Sequence, residues 1–198
     1  FLRYLDPHNA DVFSSKELQE LWMPVVRYSG GAEHTTMHLL YSRFFYKALF
    51  DIGLVTESEP YTKRMSRGLI LGPDGQKMSK SKGNVIDPDE HVARVGADTV
   101  KTYLAFIGPY NEVGQYPWDL GGIAGVRRFL ERVWNLCEQV TVDGEGDLND
   151  TSSTTVLSPE ALILLHRTIK KVGEDIRAFK FNTAISQMMV LVNELGKA

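Results

Sequence analysis

Cysteine is nearly absent from this chain: Cys137 stands alone among 198 residues. That excludes an intrachain disulfide and any zinc site built on several cysteines, and it predicts a reducing, cytoplasmic setting. Long apolar runs are missing too, so no segment is predicted to span a bilayer, and no basic-then-apolar leader opens the chain. Neither sign of charge dominates. With 22 basic and 25 acidic residues the formal net charge is −3, which weighs against a general nucleic-acid-coating protein but leaves room for a local basic site. An initiating Met is also lacking; the chain starts Phe-Leu-Arg-Tyr and reads as a piece of something longer. The composition is otherwise that of a globular protein, 43% hydrophobic and 24% charged, sufficient for one sizeable domain or two small ones.

The pattern along the chain changes character twice. Ser15 is placed to cap a short helix reaching Trp22. The β-branched start of V-V-R-Y-S-G-G predicts a strand that runs into a tight turn at Gly30 and Gly31. From about Ala32 to Phe50, apolar residues recur at three and four (Met37, Leu40, Tyr41, Phe44, Phe45, Ala48, Leu49), which predicts one amphipathic helix with that stripe facing the core. Gly68 to Leu71 reads as the next strand, so residues 25–71 resemble a βαβ crossover of a parallel sheet. Asp87, Pro88 and Glu90 form a capping sequence that starts a helix, Gly96 breaks it, and Ala97 to Phe106 is a second one. Behind Trp118-Asp119 the rhythm Ile123, Val126, Leu130, Val133, Cys137 marks a long helix. Residues 141–157 are polar and rich in Gly, Asp, Ser and Thr, the pattern of a mobile connection. Ser158-Pro159-Glu160 then opens a helix with Leu162, Leu165, Ile169, Val172 and Ile176 on its core face, and Asn182 or Thr183 opens the last.

Two features suit phosphate chemistry. A strand ending in Gly30-Gly31 and turning into a helix lets backbone approach a ligand and aims unpaired N–H groups at it; the plain alternative is a strand-to-helix turn that needs small residues. The second feature is the basic stretch from Lys63 to Lys82, in which Lys63, Arg64, Arg67, Lys77, Lys80 and Lys82 face a single acid, Asp74. Such a stretch is an anion site or a solvated face. Gly75 and Gly83 flank its lysines as a loop that moves would require, and lysine suits a phosphate whose position changes during reaction, being a point charge on a flexible stem. His34 and His38 fall four apart, on one face of the predicted helix. Their spacing matches neither H-E-x-x-H nor H-x-x-E-H, so no metal is assigned to them, and a purely structural pair stays open. Tyr41, Phe44, Phe45, Trp118 and Trp134 read as packing residues.

K-M-S-K-S, at Lys77, Met78, Ser79, Lys80 and Ser81, resembles the second signature of the class I aminoacyl-tRNA synthetases. The stretch G-G-A-E-H-T-T-M-H-L-L-Y-S-R-F, residues 30–44, is similar to the pattern G-G-x-E-H-x-x-x-H-L-L-Y-x-R-F of the leucyl-tRNA synthetase family. Further on, G-A-D-T-V, W-D-L-G-G-I-A-G-V-R-R-F-L-E-R-V-W and F-N-T-A-I-S fit the same family, so the resemblance covers nearly the whole chain. It implies an α/β fold followed by an all-α part. Residues 1–71 would be the second half of a Rossmann-like catalytic domain, 72–119 the lysine loop and a stem-contact segment, and 120–198 part of a helical anticodon-binding domain.

The resemblance also implies roles. Lys77 and Lys80 would contact the β- and γ-phosphates of ATP and stabilise the departing pyrophosphate. Met78 would lie near the adenine, with Ser79 and Ser81 shaping the loop. Gly30, Gly31 and Glu33 would sit against the adenosine, and His34, His38 and Phe1 would border the leucine. ATP would arrive with Mg2+, with no metal held by the protein itself. The partners implied are leucine, ATP, tRNA(Leu) and the missing N-terminal half of the catalytic domain. The first class I signature, H-I-G-H or a relative, is absent from these residues, as is an editing insertion. Val26, Val95 and Lys101 stand where the family often has Asp, Tyr and Arg. The chain alone is therefore expected not to form leucyl-adenylate. A different class of function stays open, a non-catalytic module that binds tRNA or a partner while its lysine loop is vestigial; so does a general phosphate-binding βαβ piece.

Overall fold

The computed structural model describes residues 1–142 and 158–196. The predicted connection at 141–157 falls outside the described residues from 143 onward. The chain divides into two compact units, Phe1–Gly68 with Asn111–Val113, and Leu69–Tyr110 with Gly114–Ala198. Its order is α/β first and all-α afterwards, with parallel strands throughout. Among the described residues, no helix is long and apolar enough to cross a membrane.

In the first unit, a 3-10 turn at Leu2–Leu5 precedes α1, Lys16–Trp22. Ser15 caps α1 by accepting from the Leu18 N–H at 3.4 Å, as its position before the helix predicts. Strand β1, Tyr28–Gly31, pairs in parallel with β2, Arg64–Arg67, from Tyr28 opposite Arg64 to Gly31 opposite Arg67. Between them runs α2, His38–Asp51. The βαβ crossover is therefore present, but it closes on Arg64–Arg67 and not on Gly68–Leu71. Arg-Met-Ser-Arg carries no run of β-branched residues, so nothing in its side chains announces a strand; its partner β1 makes it one. Met23, Tyr46 and Val55 form the core here, with Leu2, Leu5, Phe13, Val25 and Leu49 packed around them.

The expected helix over 32–50 is two elements. A 3-10 turn covers Ala32–Thr35, and Met37, at φ −112° and ψ −113°, separates it from α2. The buried residues of α2 are Ser42 and Tyr46. The predicted packing residues Tyr41, Phe44 and Phe45 are 50%, 67% and 65% exposed, so the apolar stripe faces outward except at Leu49, which packs on the core. Periodicity located the stripe correctly; it carries no information about what covers it.

In the second unit, β3 (Leu69–Leu71) pairs in parallel with β4 (Gln115–Pro117), a strand the sequence did not reveal. Helices α3 (Pro88–Val95) and α4 (Ala97–Phe106) lie between them in the chain and meet at Gly96, whose φ of +86° only glycine adopts readily. Asp87 caps α3 by accepting from the Asp89 N–H at 3.0 Å, while the return bond expected from Glu90 is not formed. Helix α5 (Leu120–Val142) starts where the Asp119 carboxylate accepts from the N–H groups of Gly121 and Gly122, at 2.8 and 2.9 Å. The Tyr103 hydroxyl accepts from the Asp119 N–H at 2.7 Å and so ties α4 to that start. A Cβ on Gly122 would come within 3.0 Å of the Tyr103 ring, so the second glycine of the pair permits this approach. Tyr103, Trp118, Ile123 and Val126 make the core, each large apolar side chain contributing roughly 1.5–3 kcal/mol on burial. Trp134, expected to pack, is 66% exposed.

Helices α6 (Pro159–Arg177) and α7 (Phe181–Leu195) form a hairpin. Ser158 caps α6 from the Ala161 N–H at 3.2 Å. Helix α7 begins one residue before Asn182, with Lys180 at its cap position and no side-chain cap. The buried face of α6 is turned from the predicted one: Leu162, Ile169 and Ile176 are exposed and Leu165 and Val172 half-buried, whereas Ala161, Thr168 and Asp175 are buried. Polar contacts select that face. Asp175 accepts from Lys171 Nζ at 2.8 Å and from the Thr183 hydroxyl of α7 at 2.7 Å, and Gln187 of α7 donates to the Thr168 hydroxyl at 3.0 Å. The Lys171 bond, foremost, holds the Asp175 carboxyl below the usual carboxylate range.

Candidate functional site

The two candidate features lie in different units and each is built by its own surroundings. In the first unit, β1 delivers Gly30 and Gly31 to the 3-10 turn, and Arg64 of β2 secures that turn from across the sheet. Its guanidinium donates to the carbonyls of Gly31 and Ala32, at 3.3 and 3.4 Å, and to the Thr35 hydroxyl. A Cβ on Gly31 would run into the Glu33 carboxylate, whereas one on Gly30 would have 3.6 Å to the nearest His34 atom. Glu33 folds back over Gly31, so a side chain there would displace its carboxylate.

His34 and His38 do not share a helix face. His34 belongs to the 3-10 turn and His38 is the first residue of α2, with the Met37 break between them. His34 Nδ1 is buried without a hydrogen-bond partner. His38 stacks flat on Tyr28, with ring centroids 5.6 Å apart and planes 7° from parallel, and its Nδ1 lies 3.0 Å from the Tyr28 hydroxyl. Burial, above all, raises the Tyr28 phenol above its ordinary pKa. Phe1 and His38, with Phe13, Tyr41, Phe45 and Leu49 among the other walls, line an apolar cavity of about 500 Å³; His34 is not part of its lining. Tyr46 also lines it, and its hydroxyl is buried with no partner.

In the second unit, the chain leaves β3 through Gly72 and returns through the lysines. Lys77 bridges back to Leu71, a 3-10 turn covers Lys80–Lys82, and Gly83 closes it at φ +65°. Lys77, Lys80 and Lys82 are exposed, while Met78 and Ser79 are half-buried. Neither Lys77 nor Lys80 forms an ion pair among the described residues. The hydroxyls of Ser79 and Ser81 lie 2.8 Å apart. Asn84, which motif reading passed over, binds the loop together. Its Oδ1 accepts from the Ser79 N–H at 2.8 Å, and its amide nitrogen reaches both carboxylate oxygens of Asp74, at 3.2 and 3.0 Å, and the Lys77 carbonyl at 3.3 Å. Asp74 also accepts from the Gln76 N–H at 3.0 Å, and this bond, first among several, lowers its pKa.

The sequence counted Arg64 only as one charge of a basic stretch, but its guanidinium is committed to backbone. Tyr28 and Asn84 were missed outright. A polar residue just after a left-handed glycine was the available signal for Asn84; the Tyr28–His38 stack depends on β1 and α2 meeting in space and left none.

Residues 40–114 match the family described as "tRNA synthetases class I (I, L, M and V)". Along its full 198 residues the chain is 52% identical to a leucine-tRNA ligase of Bdellovibrio bacteriovorus, and over 194 residues, 98% of the chain, it is 48% identical to one of Alkaliphilus oremlandii. It spans about a quarter of the length of these relatives, 24% and 23% respectively. The crystal structure of a LeuRS from Agrobacterium radiobacter, in ternary complex with tRNA and LeuAMS, superposes with a TM-score of 0.81 at 34% identity, over 99% of this chain and 26% of that one. A methionyl-tRNA synthetase from Mycobacterium tuberculosis shares the fold at a TM-score of 0.70 and 21% identity, over 98% of this chain and 37% of that one.

Proposed function

The chain is homologous along its whole length to the catalytic and anticodon-binding region of class I leucyl-tRNA synthetases, and we propose that it supplies the pyrophosphate-side half of a leucine-activating site. In this reading the leucine carboxylate, already ionised at neutral pH, attacks the α-phosphorus of ATP. The bond to the bridging oxygen breaks and pyrophosphate leaves with its charge. No general base is needed, so catalysis consists of alignment and charge neutralisation. Lys77 and Lys80 provide the neutralisation. The observation that carries this is their exposure on a braced loop without an acid partner. Mg2+ comes as the companion of ATP.

Met78 borders the adenine and Ser79 and Ser81 shape the loop. Gly30, Gly31 and Glu33 border the adenosine, and Phe1, His34 and His38 the leucine. The apolar cavity that Phe1 and His38 line supports those two assignments, being roomy enough for a branched aliphatic side chain, whereas His34 lies outside its lining and rests on the resemblance alone. The leucyl group then moves to a hydroxyl of the terminal adenosine of tRNA(Leu). That step, a cytoplasmic location and the N-terminal half of the catalytic domain as a partner belong to the same reading.

Titration of the 198-residue chain with MgATP tests it. Amide shifts over residues 75–84 and at Gly30, Gly31 and Glu33 are expected, with affinity falling about tenfold for Lys77→Ala or Lys80→Ala, the loss of one charge-assisted contact. Absence of a loop response, together with tRNA binding indifferent to both substitutions, would favour the non-catalytic module instead. The chain alone should form no measurable leucyl-adenylate.

A further inference from the structure

Lysine side chains that must meet moving phosphates gain by flexibility, but their backbone has to be set beforehand, or binding must also order the loop. The 13 residues from Gly72 to Asn84 contain both properties. The Lys77 and Lys80 ammonium groups are exposed and form no ion pair among the described residues, whereas the backbone beneath them is tied at several points. One end is closed by backbone: the Gly72 N–H donates to the Gln76 carbonyl at 2.8 Å, and the Gly75 N–H to the Gly72 carbonyl at 3.0 Å. The other end is closed by one side chain, Asn84. It holds Ser79 through a backbone donor and Lys77 through a backbone acceptor, so the residues on both sides of Met78 are fixed by the same amide. Asp74 orients that amide by accepting from its nitrogen. The carboxylate can only accept, so it fixes which end of the Asn84 amide is the donor and leaves Oδ1 to face the Ser79 N–H.

The fit leaves no slack at the base. A Cβ on Gly72 would stand 2.7 Å from Asp74 Oδ1 and 3.0 Å from the Asn84 carbonyl oxygen. Gly72 has no positive φ to explain it, so close approach of the Asp74–Asn84 pair is the reason for a glycine there.

We propose that Asn84, oriented by Asp74, is a positioning residue that presets the backbone of Lys77 to Ser79 and so aims the lysines before any phosphate arrives. The inference rests on the ATP-side reading above. Neither residue touches the phosphates; both act through the lysines.

Trypsin and pyrophosphate separate the two claims on the 198-residue chain. Wild type, Asn84→Ala, Asp74→Asn and the exchange variant carrying both Asp74→Asn and Asn84→Asp are compared for cleavage after Lys77, Lys80 and Lys82, for melting temperature and for magnesium pyrophosphate affinity. The exchange keeps an acceptor for the Ser79 N–H and a donor–acceptor pair between positions 74 and 84, but it replaces the donor to the Lys77 carbonyl with an acceptor. Asn84→Ala is expected to speed loop cleavage about tenfold and to weaken pyrophosphate by a similar factor. Asp74→Asn should do the same more weakly, and the exchange should recover at most the share of both losses that the Ser79 bond carries. Unchanged cleavage and affinity in folded Asn84→Ala overturns the proposal. If Asn84→Ala fails to fold, Asp74→Asn decides in its place, and unchanged cleavage and affinity there overturn the proposal. Wild-type chain that does not bind pyrophosphate sinks the ATP-side reading, while the cleavage rates still establish or refute the hold of Asn84 on the loop.

Discussion

The glycine turn and the lysine loop are both short, irregular and rich in glycine, yet they are secured in opposite ways. Arg64 reaches the turn from 33 residues away in sequence, and only because β2 lies beside β1. The loop is secured from within: Asn84 grips residues ten or fewer positions distant. A feature held by tertiary pairing forms only with its unit, whereas one held locally can order and open on its own. That difference suits a rigid wall in the one case and a segment that follows a changing ligand in the other.

The strongest way to break the contrast is Arg64→Ala. It removes charge-assisted bonds to two backbone carbonyls and a hydroxyl, and should cost the first unit about 2–3 kcal/mol in urea unfolding, without altering tryptic cleavage in the loop. A parallel rise in loop cleavage would mean the two features are not separately secured. Gly72→Ala is the converse. Its Cβ would crowd Asp74 and the Asn84 carbonyl, so a loss of about 1–3 kcal/mol is expected, seen as faster amide exchange over 72–84 while the turn stays protected. The mildest test is acid. Asp74 has a folded-state pKa below its ordinary 3.8, so its contribution is present above that value and lost as pH falls through the depressed one. The bonds from Arg64 to the turn involve two carbonyls and a hydroxyl and no carboxylate. Loop cleavage or exchange should therefore rise in acid before the turn responds. Glu59, held at about 2 by Arg43 first and then Lys47, is the control for the first unit: its pair fades over the same direction from 4.5 downward, and being exposed it should shift stability by less than about 1 kcal/mol.

The same division marks what the sequence could tell. Local chemistry was readable: the caps at Ser15, Asp87 and Ser158 and the break at Gly96 each depend on a few adjacent residues and each occurs. The K-M-S-K-S stretch was readable for the same reason. Whatever depends on a distant partner was not. Strand β2 is a strand because β1 lies beside it, and β4 because β3 does. The exposed stripes of α2 and α6 show the limit of periodicity, which finds an apolar face but cannot say that Tyr46 turns inward instead of Phe45, or that Asp175 is buried while Ile176 is not. Asp175 is buried because Lys171 and Thr183 satisfy it, and Thr183 belongs to another helix.

Tyr46 in the first unit and Tyr103 in the second are each all but sealed from solvent, and burial raises both phenols above their ordinary pKa. Each unit thus contains a built-in optical reporter, joined in the first by Tyr28, whose phenol is raised as well. In an alkaline titration followed by phenolate absorbance, a tyrosine that ionises late does so only as its surroundings give way. Replacing either ring by phenylalanine would assign each late step, so the order in which the two units yield to base can be read without attaching any label.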